Sequence, residues 1–188
     1  MKLVNTTLYH FRDGRRKNNN WVVGNKFSVD EDYRNYICSG IEPIDTNTPL
    51  INKKIEYYSM ANDINFAFTK AEKMLELRRS EKYPELISRF NCMYFCDIES
   101  LEYWSHKLPD HYELYEVILN GEAFKSSTLL FPFASNNCTY EDFLKLCDDY
   151  WNPNMTEELN SYNEYLFQGS VFVSEKLDAN KVRSRNNN

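Results

Sequence analysis

Glycine is scarce in this chain: 5 residues in 188, with no glycine-rich loop among them. That removes the backbone cradles on which the commonest nucleotide sites depend. There is no GxGxxG and no GxxxxGK[ST], and the GxSxG and HExxH signatures of common hydrolases and metalloproteases are missing as well. Histidine is scarcer still, with His10, His106 and His111 too scattered for a metal site. His106 and His111 read as surface residues. Five cysteines make an odd count. Cys92 and Cys96 lie on one face of a strand-like segment, and no downstream His or Cys pair completes a zinc set. Reduced, partly buried thiols are expected, and no metal. The first residues, Met1-Lys2-Leu3-Val4-Asn5-Thr6-Thr7, contain no apolar leader core, and no apolar run reaches membrane-spanning length. The expectation is a soluble, cytoplasmic protein without membrane contact.

Aromatic residues, by contrast, are abundant, with 14 Tyr, 12 Phe and 3 Trp. The formal charge of −6 weighs against a broad basic surface for nucleic acid. The one basic cluster outside the tail, Arg12 to Lys17, reads as a solvated loop. Length predicts one domain over residues 1–177, followed by a polar tail over 178–188 expected to be disordered.

Along the chain, Leu3 to Phe11 reads as a strand, and Trp21-Val22-Val23-Gly24 as a short one. Phe27 to Pro49 shows no period. Ile64 to Ser80 has helical spacing through Phe68, Ala71, Met74 or Leu75, and Leu77 or Arg78, with Glu, Lys and Arg at the remaining positions. Phe90 to Cys96 reads as a strand. Asp97 is placed to cap a helix whose stripe is Leu101, Trp104 and Leu108. Glu113 to Leu119 and Glu122 to Ser126 read as a hairpin about Asn120-Gly121. Thr139-Tyr140-Glu141-Asp142 has the form of a capping box before a helix carrying Phe143, Leu146, Cys147, Tyr150 and Trp151, and Asn152-Pro153 stops it. The order of elements predicts an α+β domain with a mainly antiparallel sheet.

The last stretch, Tyr162 to Val173, is rich in aromatic and β-branched residues and predicts a strand, or two broken at Gly169. Alternation sets Tyr165 and Phe167 on one face and Glu164, Leu166 and Gln168 on the other. A carboxylate in such a segment either faces water from an edge strand or faces a cleft and does chemistry there.

An ordered set of short segments decides how that choice is read. They are Leu8-Tyr9-His10, Leu77-Arg78-Arg79, Ser88-Arg89 leading to Tyr94-Phe95, Tyr115-Glu116-Val117, Tyr150-Trp151, and Glu164-Tyr165-Leu166-Phe167-Gln168-Gly169. Together they resemble a bacterial and phage domain family of unassigned function that is grouped with the ADP-ribosyltransferases. The resemblance implies a split antiparallel sheet with an NAD+ cleft between its halves. It implies His10, with Arg12 as rival, on the adenosine-side ribose. Ser88, Arg89 and Tyr94 are then candidates for the nicotinamide pocket and for the grip on the diphosphate, and Glu164 for the catalytic carboxylate. Arg89 read from the residues alone pairs with Glu85 or Asp97. Superfamily members that modify arginine carry an acidic residue two positions before the catalytic Glu, and this chain has Tyr162 there. That departure speaks against an arginine acceptor and leaves open another acceptor, protein or nucleic acid, or plain NAD+ hydrolysis. A toxin, effector or phage-defence role, with an antitoxin or immunity protein as partner, is implied in the same way. The competing expectation is a non-catalytic protein-interaction module on the same fold.

Overall fold

The computed structural model describes residues 1–16, 20–60, 64–133, 138–156, 159–179 and 182. These form an α+β unit with a five-stranded, wholly antiparallel sheet and four α-helices. The strands are β1 (Lys2–Asp13), β2 (Lys26–Val29), β3 (Met93–Phe95), β4 (Tyr112–Ser127) and β5 (Asn163–Leu177). The helices are α1 (Leu50–Ser59), α2 (Ile64–Lys82), α3 (Leu101–Lys107) and α4 (Tyr140–Trp151).

The two long strands, β4 and β5, form the spine. On its far side β4 carries β1. The free edge of β5 is shared, with β3 on Tyr165 to Phe167 and β2 on Gly169 to Phe172. The sheet then curls until β3 touches β1, where Tyr9 and Cys96 exchange two backbone hydrogen bonds of 2.9 Å. Beyond that bridge the strands part.

The expected hairpin at Asn120-Gly121 does not exist: β4 runs straight through it. The glycine serves contact between strands instead. Gly121 pairs with Gly169 in the β4–β5 ladder. A Cβ on Gly121 would lie 2.8 Å from the Gly169 Cα and would strike the Gln168 carbonyl oxygen. Asn-Gly is a local turn signal, and here a long-range need for closeness uses the same residue. Gly169, at φ +141°, lies within an unbroken β5.

Other elements depart from expectation in smaller ways. Trp21 to Gly24 is a turn, and the strand begins at Lys26. Phe90 falls in a 3-10 turn over Arg89–Asn91, leaving three residues to β3. Helix α1 lies just beyond the unassigned stretch. Asp97 tightens the turn before α3 by accepting from the Ser100 backbone N–H (3.0 Å) and hydroxyl (2.6 Å), while Ser100 itself holds the cap position. Thr139 does cap α4, its oxygen accepting from the Asp142 N–H at 3.1 Å.

The helices α1, α2 and α4 cover one face of the sheet. There Tyr57, Met74, Leu75, Phe143 and Trp151 pack on Phe124 and Leu166. Tyr165, Phe167, Val171 and Val173 point into a second core on the other face, with Leu8 and Val117. The alternation expected in β5 therefore holds. Both faces are buried, and Glu164, on a central strand, is only 6 % exposed. Of the tail, residues 180–181 and 183–188 lie outside the described residues, while Ala179 and Val182 pack near Phe11 and Leu114. Among the described residues no helix is long and apolar enough to cross a membrane.

Candidate functional site

Where β1 and β3 diverge past the Tyr9–Cys96 bridge, a cavity of about 470 Å3 opens. Its walls include His10 and Arg12 of β1, Tyr94 of β3, Arg89 of the turn before β3, and Glu164 at the start of β5. Its size is typical of small-ligand sites, roughly 300–1,000 Å3. Aromatic side chains, among them Phe68, Trp104, Tyr112 and Phe131, supply much of the remaining surface.

The start of β5 is fixed by hydrogen bonds to the turn before α3 and to α3 itself. Asn163 donates its backbone N–H to the Ser100 hydroxyl oxygen (2.8 Å) and its side-chain amide to Asp97 Oδ2 (2.7 Å). Its carbonyl accepts from Trp104 Nε1 at 3.0 Å, and the Tyr165 hydroxyl donates to the same Asp97 oxygen at 3.0 Å. The residues on either side of Glu164 are thus anchored, which fixes the direction in which its side chain leaves the strand.

Glu164 Oε1 accepts from Arg89 Nη1 at 2.8 Å and from the Tyr150 hydroxyl at 2.7 Å. Among the described residues Oε2 takes no hydrogen bond. Arg89 does not pair with Glu85 or Asp97. It forks onto Glu72, Nε to Oε2 and Nη2 to Oε1, both at 2.8 Å, and Nη1 also meets the Tyr150 hydroxyl. Every guanidinium nitrogen therefore has an internal partner. The group is enclosed by the rings of Tyr94, Phe131 and Tyr150, at 5.0, 5.1 and 5.0 Å. Burial alone would lower the Arg89 pKa, but Glu72, the two tyrosines and Glu164 outweigh it and hold it well above the ordinary arginine value. Burial likewise raises the Tyr150 hydroxyl far above its usual range, so it stays protonated and donates to Glu164.

His10 is half-buried, stacked on Trp21 with centroids 4.3 Å apart and planes 12° from parallel. Its Nδ1 lies 2.8 Å from the Tyr94 carbonyl oxygen. A carbonyl only accepts, so Nδ1 carries the hydrogen. Loss of water, with a smaller push from Arg12, drives the His10 pKa down to about 4, against the raising effect of that hydrogen bond. The ring is neutral at neutral pH, and Nε2 is left as an acceptor.

The other sequence candidates divide. Arg12 borders the cavity but is engaged, with Nη1 on Glu113 Oε2 at 2.9 Å and Nη2 on the Arg16 carbonyl. Tyr94 borders it too, its hydroxyl donating to the Arg89 carbonyl at 3.3 Å. Ser88 does not line the cavity. It caps the turn over Arg89–Asn91, accepting from the Phe90 N–H at 3.1 Å. Tyr150 and Trp151, side by side at the end of α4, play different parts. Trp151 is a packing residue, with Nε1 donating to the Leu75 carbonyl at 3.0 Å, but Tyr150 holds Glu164.

The partner that sequence reading missed is Glu72. It falls among the charged positions left over from the apolar spacing of α2, yet it is fully buried. The signal was present, because Phe68, Glu72 and Leu75 follow helical steps of four and three along the apolar stripe. A charge on that stripe calls for a buried partner.

Chemically, the arrangement offers a fixed carboxylate with one free oxygen, a neutral imidazole acceptor and aromatic walls in one enclosure. The sequence pattern of the family described as "Protein of unknown function (DUF2441)" matches residues 8–179. No curated protein matches the chain.

Proposed function

This chain belongs to the DUF2441 family of proteins of unknown function, and we propose that it is an NAD+-dependent ADP-ribosyltransferase with Glu164 as its catalytic carboxylate. One observation carries the reading. Glu164, from the late strand, and His10, from the first, border the same cavity, and Glu164 is buried there rather than facing bulk water from an edge. The resemblance of the ordered segments to the ADP-ribosyltransferase superfamily is the second support.

In this reading the bond between the nicotinamide nitrogen and ribose C1′ breaks. Its electron pair goes to the ring nitrogen, and positive charge develops on the ribose, as in glycoside cleavage. Glu164 Oε2 accepts the ribose 2′-hydroxyl and stabilises that charge, while Arg89 and Tyr150 hold Oε1 still. His10 Nε2 accepts a hydroxyl of the adenosine-side ribose. Tyr94 and its aromatic neighbours form the wall against which a planar ring packs. Arg12 lies on the His10 side, where it borders the diphosphate. An acceptor nucleophile then bonds to C1′ and loses its proton to solvent water. Because Tyr162 stands two residues before Glu164, an acceptor other than arginine, in a protein or nucleic acid, is favoured, with water as the hydrolytic alternative.

The internal pairing of Glu164 with Arg89 also suits a second reading, in which the cluster is structural and the chain is a non-catalytic interaction module. Two measurements separate them. NAD+ raises the melting temperature of the parent chain if it binds the native state, and Glu164→Ala stops nicotinamide release. A chain that neither binds NAD+ nor releases nicotinamide fits only the module.

A further inference from the structure

We propose that the cavity selects a positively charged aromatic ring over its neutral counterpart, and that Glu72 is the residue responsible. The inference takes from the proposed function only the identity of that ring, the pyridinium of oxidised NAD+.

Two carboxylates, Glu72 and Glu164, share the single guanidinium of Arg89. The cluster therefore carries one net negative charge. Its side chains are 0 %, 8 % and 4 % exposed respectively, so water screens that charge little. Glu72 does not line the cavity and spends both oxygens on Arg89. Its effect is indirect. By occupying two prongs of the fork it takes up the charge that would otherwise cancel Glu164. Without Glu72, Arg89 and Glu164 would form a neutral pair with nothing to offer a cation.

The surroundings act in the same direction. Phe131 and Tyr94 contribute aromatic walls to the cavity, and their rings also lie over Arg89. His10 is neutral, so it adds no opposing charge. Arg12 is paired with Glu113. Arg16 and Arg34 also border the cavity, but both are exposed to water, which screens them.

The test uses two ligands that differ by one charge on one ring, 1-methylnicotinamide (a cation) and nicotinamide (neutral), titrated into the full chain by calorimetry. The parent is expected to bind the cation at least about tenfold more tightly, roughly the yield of 1.4 kcal/mol of net attraction. Glu72→Gln, which keeps the shape and removes the charge, is expected to erase the preference. If that variant does not fold, Glu164→Gln is expected to erase it equally. Equal affinities in the parent, no binding of the cation, or a preference retained in a folded Glu72→Gln chain would overturn the proposal. A purely structural Glu72 would lower the melting temperature and leave the preference intact. An intact preference with no nicotinamide release from NAD+ removes only the catalytic reading. Release without the preference removes only this one.

Discussion

Acidification should weaken the fold through His10, and the size of the effect follows from its surroundings. In the unfolded chain the imidazole titrates near 6.5. In the folded chain, short of water and next to Arg12, it titrates near 4. Between those values the unfolded state binds a proton that the native state refuses. Stability is thus complete above pH 6.5, falls as pH drops toward 4, and takes no further loss from this group below that. The interval of 2.5 units, at 1.36 kcal/mol each, gives about 3 kcal/mol in total. His10→Asn isolates the contribution, because its amide N–H can still donate to the Tyr94 carbonyl while no proton is gained. Urea unfolding of both proteins across that pH window should show the parent losing about 3 kcal/mol relative to the variant. If the two lose stability in parallel, His10 is not held neutral by its burial, and the assignment of Nε2 as an acceptor goes with it.

Two other substitutions test how the frame and the buried cluster are built. Gly121→Ala forces a Cβ into the Gly169 backbone 2.8 Å away, and since backbone cannot rotate aside as a side chain can, a loss of about 3 kcal/mol or more is expected by denaturant unfolding. A tolerated alanine there would refute the close approach of β4 and β5. Arg89→Met leaves Glu72 and Glu164 buried without their cation and should cost about 3–5 kcal/mol, read from the shift in the unfolding midpoint. A midpoint unchanged at neutral pH would mean that the two carboxylates do not depend on Arg89.

The sequence makes some of this architecture legible, and the pattern of misses has a physical cause. Thr139 caps α4 because capping is a local bond between residues three apart. Ala71, Met74 and Leu75 mark the buried stripe of α2 because helical spacing is local too. Asn120-Gly121 misleads because the closeness that demands glycine lies between strands 48 residues apart, Gly121 against Gly169. Glu72 misleads because its partner is 17 residues away on a different element. Of the candidate site, His10, Arg12, Arg89, Tyr94 and Glu164 fall around one cavity and Ser88 does not. Sequence alone left Glu164 between water and cleft, since alternation tells which face a residue takes and not what covers that face.

If the charge of Glu164 stabilises a ribose cation, nicotinamide release from NAD+ must depend on it, and comparing the parent with Glu164→Gln isolates that charge. Gln keeps an oxygen for Arg89 and Tyr150 and removes only the charge, so a folded protein is expected whose release rate falls at least about a hundredfold. A folded Glu164→Gln chain that releases nicotinamide at the parent rate would contradict it.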